Sequence, residues 1–341
     1  LQQVVVINNL VPMKRRRGLR AGVFFAALLT PMIIAAPAFA TYSVVGADPA
    51  TGEIGVAISS CVPVEVAFAP VLVPGKGAAV AQANPNQDSG PEIVKLLDGG
   101  ATAEQVIAGL TAGSFDPIPG ERQYGVVTSK TGAQAMSAAG YSGADNLAAS
   151  LNVENASGGV SAQGNTLVSN QVAQDMAKAF EATDGPLAQK LLAGLKAGSA
   201  AGGDSRCGAQ TSNAAALLVA KPTDAVYQHT NEVGKSIGTS GASLPSTYGS
   251  VLLKEGGANP VAELTSRYQA AAASGQPVNF TYLEPGSGYS FGMKILMVAL
   301  ANFVFVLAAV IILVALLVYW LVRRRRKRKS ASEPTPPAER S

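Results

Sequence analysis

From residue 295 to residue 322 the chain runs for 28 residues without a charged side chain, and Arg323 to Lys329 follow as seven consecutive cations. A helix crosses the hydrocarbon core of a bilayer with roughly 20 apolar residues, so this run suffices even when tilted. Tyr319 and Trp320 lie at its end, where amphipathic rings favour the membrane–water interface. Cations are retained on the cytoplasmic side. The run therefore predicts one transmembrane helix over 295–322 and a basic cytoplasmic tail over 323–341. The bulk of the chain is then extracytoplasmic, in a single-pass protein of the cell membrane. A buried core helix does not accommodate that length beside seven cations.

The other end carries a second targeting pattern. Lys14-Arg15-Arg16-Arg17 leads into an apolar run over 21–36, closed by Ala38-Phe39-Ala40. A basic start, an apolar middle and a small-x-small close form a secretory signal. The expectation is a signal peptide over 1–40, translated from Met13 and removed by signal peptidase. The two ends also account for the charge. Five cations precede Ala40, the tail from Arg323 is net +6, and the whole chain is only +4, so the part between is net acidic (about −7). A nucleic-acid surface needs cations clustered on the folded part, and that class is excluded.

The chain has two cysteines, Cys61 and Cys207, and one histidine, His229. Outside the cytoplasm the cysteines either pair or stay as thiols, and spacing alone does not decide between them. No structural zinc set can be assembled from these residues, so no metal and no cofactor are expected. His229 lies in a polar stretch and reads as a solvated loop residue, which leaves a Ser-His-Asp triad without its base.

Between the two ends, alternation and turn chemistry predict a hairpin from Thr41–Val45 and Ile54–Ser59 around Asp48–Gly52. Apolar runs follow at 64–73 and 78–83. Helices are expected over 91–97 and 103–110, the second capped by Thr102. Strands are expected at 123–128 and 133–138, helices at 167–182 and 186–196, and a buried strand at 214–220. A strand near 250–254 and a helix over 260–273 complete the pattern, and 274–294 reads as a spacer. Strands then helices, twice over, argue for a layered α+β domain over 41–273.

Cleavage after Ala40 would make Thr41 the first residue of the mature chain. An N-terminal threonine joins a hydroxyl nucleophile to an amine of pKa about 7.7–8.0 that can act as its base, with no histidine required. Several strings stand in a fixed order: Thr41-Tyr42-Ser43-Val44-Val45, Asp48-Pro49 through Thr51-Gly52-Glu53-Ile54-Gly55-Val56-Ala57, and Gln82-Ala83-Asn84-Pro85. Arg122-Gln123 before Gly125-Val126-Val127, Gln163-Gly164-Asn165, Gly202-Gly203-Asp204 with Arg206, and Asn259-Pro260 through Leu264 complete the set. Together they resemble a family, domain of unknown function 1028, of the N-terminal-nucleophile (Ntn) hydrolase superfamily. The chain departs from the family pattern at Asn84 to Ser89, where an aromatic is usual before Gly90, and in the polar stretch Gln228 to Tyr248.

The resemblance implies a four-layer αββα sandwich with Thr41 at the mouth of the cleft, and cleavage of an amide bond in a peptide or small amide substrate. It makes Ser59 or Ser60 and Gln82 supporting residues, Asn165 an oxyanion donor, and Asp204 with Arg206 a pair that orients substrate. Two of these have simpler readings: Asp204–Arg206 as a local ion pair, and Gln163–Asn165 as turn chemistry. Arg122 reads as a solvated strand end, and Cys61 as packed or bonded rather than nucleophilic. The alternative function is a catalytically inactive binding or scaffold protein of the cell envelope with the same fold. Assembly into a homo-oligomer stays open.

Overall fold

The computed structural model describes residues 41–129, 135–144, 151–154, 159–228, 243–288 and 303–330. The predicted signal peptide, His229 and the end of the tail lie outside these residues. Twelve strands and six helices are described. The strands are β1 (Thr41–Ala47), β2 (Ile54–Ser60), β3 (Pro70–Val73), β4 (Gly77–Ala83), β5 (Arg122–Thr128) and β6 (Ser137–Ser142). They continue with β7 (Leu151–Glu154), β8 (Val160–Asn165), β9 (Ala214–Ala220), β10 (Tyr227–Gln228), β11 (Thr247–Leu252) and β12 (Asn279–Leu283). The helices are α1 (Ser89–Asp98), α2 (Ala103–Leu110), α3 (Gln171–Ala182), α4 (Leu187–Ala200), α5 (Pro260–Ala273) and α6 (Phe303–Ser330).

The strands form two sheets, one ordered β12-β11-β9-β2-β1-β8-β7 and the other β10-β3-β4-β5-β6. The fold is therefore α+β, as the alternation of strand and helix patterns predicts. The β1–β2 hairpin forms where expected: the Asp48 carboxylate accepts the Ala50 N–H at 2.8 Å, and Gly52 takes φ +71° to close the turn. Thr102 caps α2 with a full capping box, reciprocated by Gln105, worth about 1 kcal/mol.

Apolar side chains collect in three places. Val45, Ile54, Val56, Ile58, Val80 and Leu218 fill the space between the sheets. On the far side of the seven-stranded sheet, Tyr42, Val44 and Leu217 pack against Met176 and Leu191 of the α3–α4 pair and Leu264 of α5. On the far side of the five-stranded sheet, Val126 and Tyr124 meet Ile93, Leu97, Val106 and Leu110. Because both faces of each sheet are covered, every residue of β1, β2, β4 and β5 is buried. Each large aliphatic side chain in these clusters contributes about 1.5–3 kcal/mol by leaving water.

Three expectations are corrected. Residues 160–165, read partly as a turn, are the strand β8 beside β1. Part of the expected spacer is β12, which pairs in parallel with β11 at the sheet edge. Arg122 is no solvated strand end: it is 7% exposed, and its Nε lies 2.7 Å from Asp116 Oδ2. The run predicted to span a membrane is described from Phe303 onward, helical to Ser330, and its first eight residues lie outside the described set. Large apolar side chains from Val310 to Val322 are exposed, and the Arg324 guanidinium sits 5.0 Å over the Trp320 ring. Among the described residues no helix is long and apolar enough to cross a membrane.

Candidate active site

Strand alternation puts Tyr42 and Val44 among the helices and leaves Thr41 and Ser43 facing the other sheet. Register then aligns β8 with them: Thr41 lies opposite Asn165, Ser43 opposite Gln163, and Val45 opposite Ser161. From the second sheet, the paired residues Gln82 and Gln123 reach across. All these polar side chains are buried, so they must satisfy one another. The Ser161 hydroxyl donates to Gln163 Oε1 at 2.8 Å, and Gln163 Nε2 donates to Ser43 Oγ at 2.6 Å. Ser43 donates to Gln82 Oε1 at 2.7 Å, and Gln82 Nε2 donates to Gln123 Oε1 at 2.6 Å. Asn165 Nδ2 donates to the same Gln123 oxygen at 3.0 Å, and Gln123 Nε2 reaches Gly164 O at 2.8 Å. Gly125 admits this network, since a Cβ there would fall 2.0 Å from Gln163 Oε1. The seam is made of amides and hydroxyls, with no ionisable member.

Thr41 stands at the end of the seam. Its Oγ1 donates to Ser60 Oγ at 3.3 Å, and its carbonyl accepts from Gln82 Nε2 at 3.4 Å. Ser60 Oγ also accepts the Val62 N–H at 3.1 Å, which turns the chain after β2. Asn165 Oδ1 is buried without a partner. Thr41, Ser60 and Gln82 line a small cleft, partly open to solvent, with a cavity volume of about 20 Å³, walled by Val62, Val64, Val66 and Phe68.

Beside the cleft, Asp204 is fully buried. It accepts the Cys61 N–H at 3.0 Å and holds Arg206 through Nη2 at 2.9 Å and Nε at 3.1 Å. A disulfide joins Cys61 to Cys207, resolving the open choice for the two cysteines, and Asn213 Nδ2 donates to Cys61 O at 2.7 Å. Among the described residues, three that are not glycine have left-handed φ: Ala83 at 71°, Thr166 at 53° and Thr211 at 64°. Ala83 ends β4 and lines the cleft, Thr166 follows Asn165, and Thr211 accepts the Asp204 N–H on its carbonyl at 3.1 Å. Such conformations cost on the order of 1–3 kcal/mol each and gather at functional sites.

Of the residues that the sequence singles out, the fold brings Thr41, Ser60, Gln82 and Asn165 together. Ser59 is on the other face of β2, where its hydroxyl donates to Ala214 O at 2.8 Å, so Ser60 is the serine at the cleft. The unpartnered atom of Asn165 is its acceptor oxygen, and its amide nitrogen is held by Gln123; this orientation follows from the hydrogen-bond network. Asp204 and Arg206 form the local ion pair and anchor the Cys61 amide. Sequence reasoning does not reach Gln123, Ser43 or Asp116. A glutamine inside a strand of small and apolar residues is the signal for Gln123, repeated at Gln82 and Gln163.

Behind β5, burial would raise the Asp116 carboxyl. The Arg122 hydrogen bond, the Ile118 amide, the Arg122 charge and Asn86 outweigh it and hold the carboxyl below its usual range. Arg122 also donates from Nη1 to Asn84 O, tying down the segment after the strained Ala83.

The model of the family of unknown function DUF1028 matches residues 41–234. Protein SPO2555 from Silicibacter pomeroyi, whose crystal structure is described as belonging to that family, is similar in fold. The TM-score is 0.51 at 24% identity, covering 68% of this chain and 89% of that one. No curated protein matches the chain.

Proposed function

We propose, on the premise that the chain belongs to DUF1028, a family of unknown function, that it is an amide hydrolase whose nucleophile is Thr41 once the preceding segment is removed. The observation that carries this reading is the setting of the Thr41 hydroxyl. It opens on a cleft whose other polar members, among the described residues, are Ser60 and Gln82, and neither side chain carries a group that ionises near neutral pH. Thr41 can supply its own base, as the α-amine that cleavage after Ala40 would free. The family match begins at the same residue.

In this reading Thr41 Oγ bonds to the scissile carbonyl carbon and its proton passes to the α-amine. The C–N bond then breaks, the protonated amine hands that proton to the leaving nitrogen, and water hydrolyses the Thr41 ester. Gln82 donates to the Thr41 carbonyl and Asn165 lies opposite Thr41 in β8, and each would serve the oxyanion by exchanging its bond to Gln123 Oε1. Helices cover the outer faces of both sheets, which supports the αββα, Ntn-hydrolase-like reading. The exposed apolar side chains along α6, continued by seven cations, support anchoring to a membrane with the domain outside the cytoplasm. The left-handed backbone at Ala83, which lines the cleft, supports a functional role for it.

The test is the N-terminal sequence and intact mass of the purified protein, followed by reaction with a small acylating electrophile. A free Thr41 amine, modification at Thr41, and loss of that modification in Thr41→Ala are expected. A mature chain that starts elsewhere, or a Thr41 that never reacts, refutes the hydrolase and leaves a binding protein with this fold.

A further inference from the structure

The cleft has a polar floor and an apolar wall. Val62, Val64, Val66 and Phe68 come from the segment between β2 and β3, and among the described residues lining the cleft no side chain is charged. This segment is fastened along its length. Cys61 is held by the disulfide and by Asp204, Ala67 O accepts the Tyr227 hydroxyl at 2.8 Å, and Ala69 O accepts the Ala81 N–H at 3.1 Å. The one acid in it, Glu65, accepts the Ser250 hydroxyl at 3.3 Å instead of lining the cleft.

We infer that this wall is the acyl-side subsite and selects substrates with a small, uncharged, apolar group beside the scissile carbonyl. The inference rests on Thr41 as nucleophile. A charged group seated there loses its water and gains no partner, whereas each methylene buried improves binding about fourfold. The cleft is partly open to solvent and its cavity volume is only about 20 Å³, room for little more than a water molecule, so it suits a small group over a bulky one.

Three lactones read this out on the purified mature protein: β-propiolactone, an isobutyl-substituted β-lactone, and its carboxymethyl analogue. In each, Thr41 Oγ bonds to the carbonyl carbon, the ring C–O bond breaks, and the hydroxyl proton passes by way of the amine to the ring oxygen. Modification is followed by intact mass, with Thr41→Ala separating hydroxyl from amine acylation. The isobutyl lactone is expected to react at Thr41 at least about tenfold faster than the carboxymethyl one. Phe68→Lys, which sets a cation on the wall, should cut that ratio by about tenfold. Equal rates for the two substituted lactones at a reactive Thr41 would overturn the subsite and leave the nucleophile standing. Failure of all three, β-propiolactone included, would overturn the nucleophile and the subsite with it. If Phe68→Lys does not fold, as judged by its melting, the wild-type ratio alone decides.

Discussion

Replacing both cysteines, in the double variant Cys61→Ser/Cys207→Ser, should lower stability far more than two buried sulfurs would suggest. The bond closes a loop of sequence separation 146. Loop-closure entropy for that length corresponds to roughly 5 kcal/mol at 25 °C. For a domain of this size each kcal/mol moves the melting temperature by about 2–4 °C, so a fall of about 10–20 °C is expected. The native contacts around the bond should survive its loss. Asp204 still accepts the Cys61 N–H, and Asn213 still donates to Cys61 O, so the far-ultraviolet spectrum of the folded protein should not change. Thermal unfolding followed by circular dichroism, for the variant and for the wild type in reductant, measures the effect. A shift below about 3 °C in both would refute the argument, because it would mean that the linkage does not restrict the unfolded chain.

Other consequences can be measured in the same way. Arg122→Met leaves the buried Asp116 carboxylate without its guanidinium and should cost about 3–5 kcal/mol in denaturant titrations. Because the folded pKa of Asp116 is depressed, its contribution is present above the unfolded carboxylate range and lost as pH falls through the folded value. Asp116→Asn should therefore flatten the acid limb of the stability–pH curve, and an unchanged limb would count against the pair. Gly125→Ala forces a Cβ against Gln163 Oε1. It should cost about 1–3 kcal/mol and slow Thr41 acylation if the seam positions the nucleophile. Thr102→Ala removes the α2 cap, and a loss of about 1 kcal/mol in chemical denaturation checks it.

Elements whose signal is local are legible in the residues alone. The β1–β2 hairpin, the strand Ala214–Ala220, the Thr102 cap and the helix Pro260–Ala273 stand where pattern and turn residues put them. Strand β8 escapes such a reading because one face is Ser161, Gln163 and Asn165 while the other is Ala162 and Gly164, so hydrophobic alternation gives no signal. Strand β12 escapes it as a short edge strand with alternate residues exposed, which resembles a spacer. Arg122 reads as solvated because Asp116, six residues earlier in an irregular segment, shows no spacing that marks it as a partner.

The chain itself set the local conformations and Thr41 as the residue that a signal cleavage would expose. Each of these depends only on neighbours in sequence or on residue type. Tertiary structure decided which serine meets Thr41, that Gln82, Gln123 and Asn165 share a seam, that Cys61 finds Cys207, and that the cleft wall is apolar. Those outcomes depend on strand register and on the face each strand presents. A slip of one residue in β2 or β8 would exchange Ser60 for Ser59, or Asn165 for Gly164, across the same backbone. Register is set by packing across both sheets at once, and no local stretch of sequence carries it.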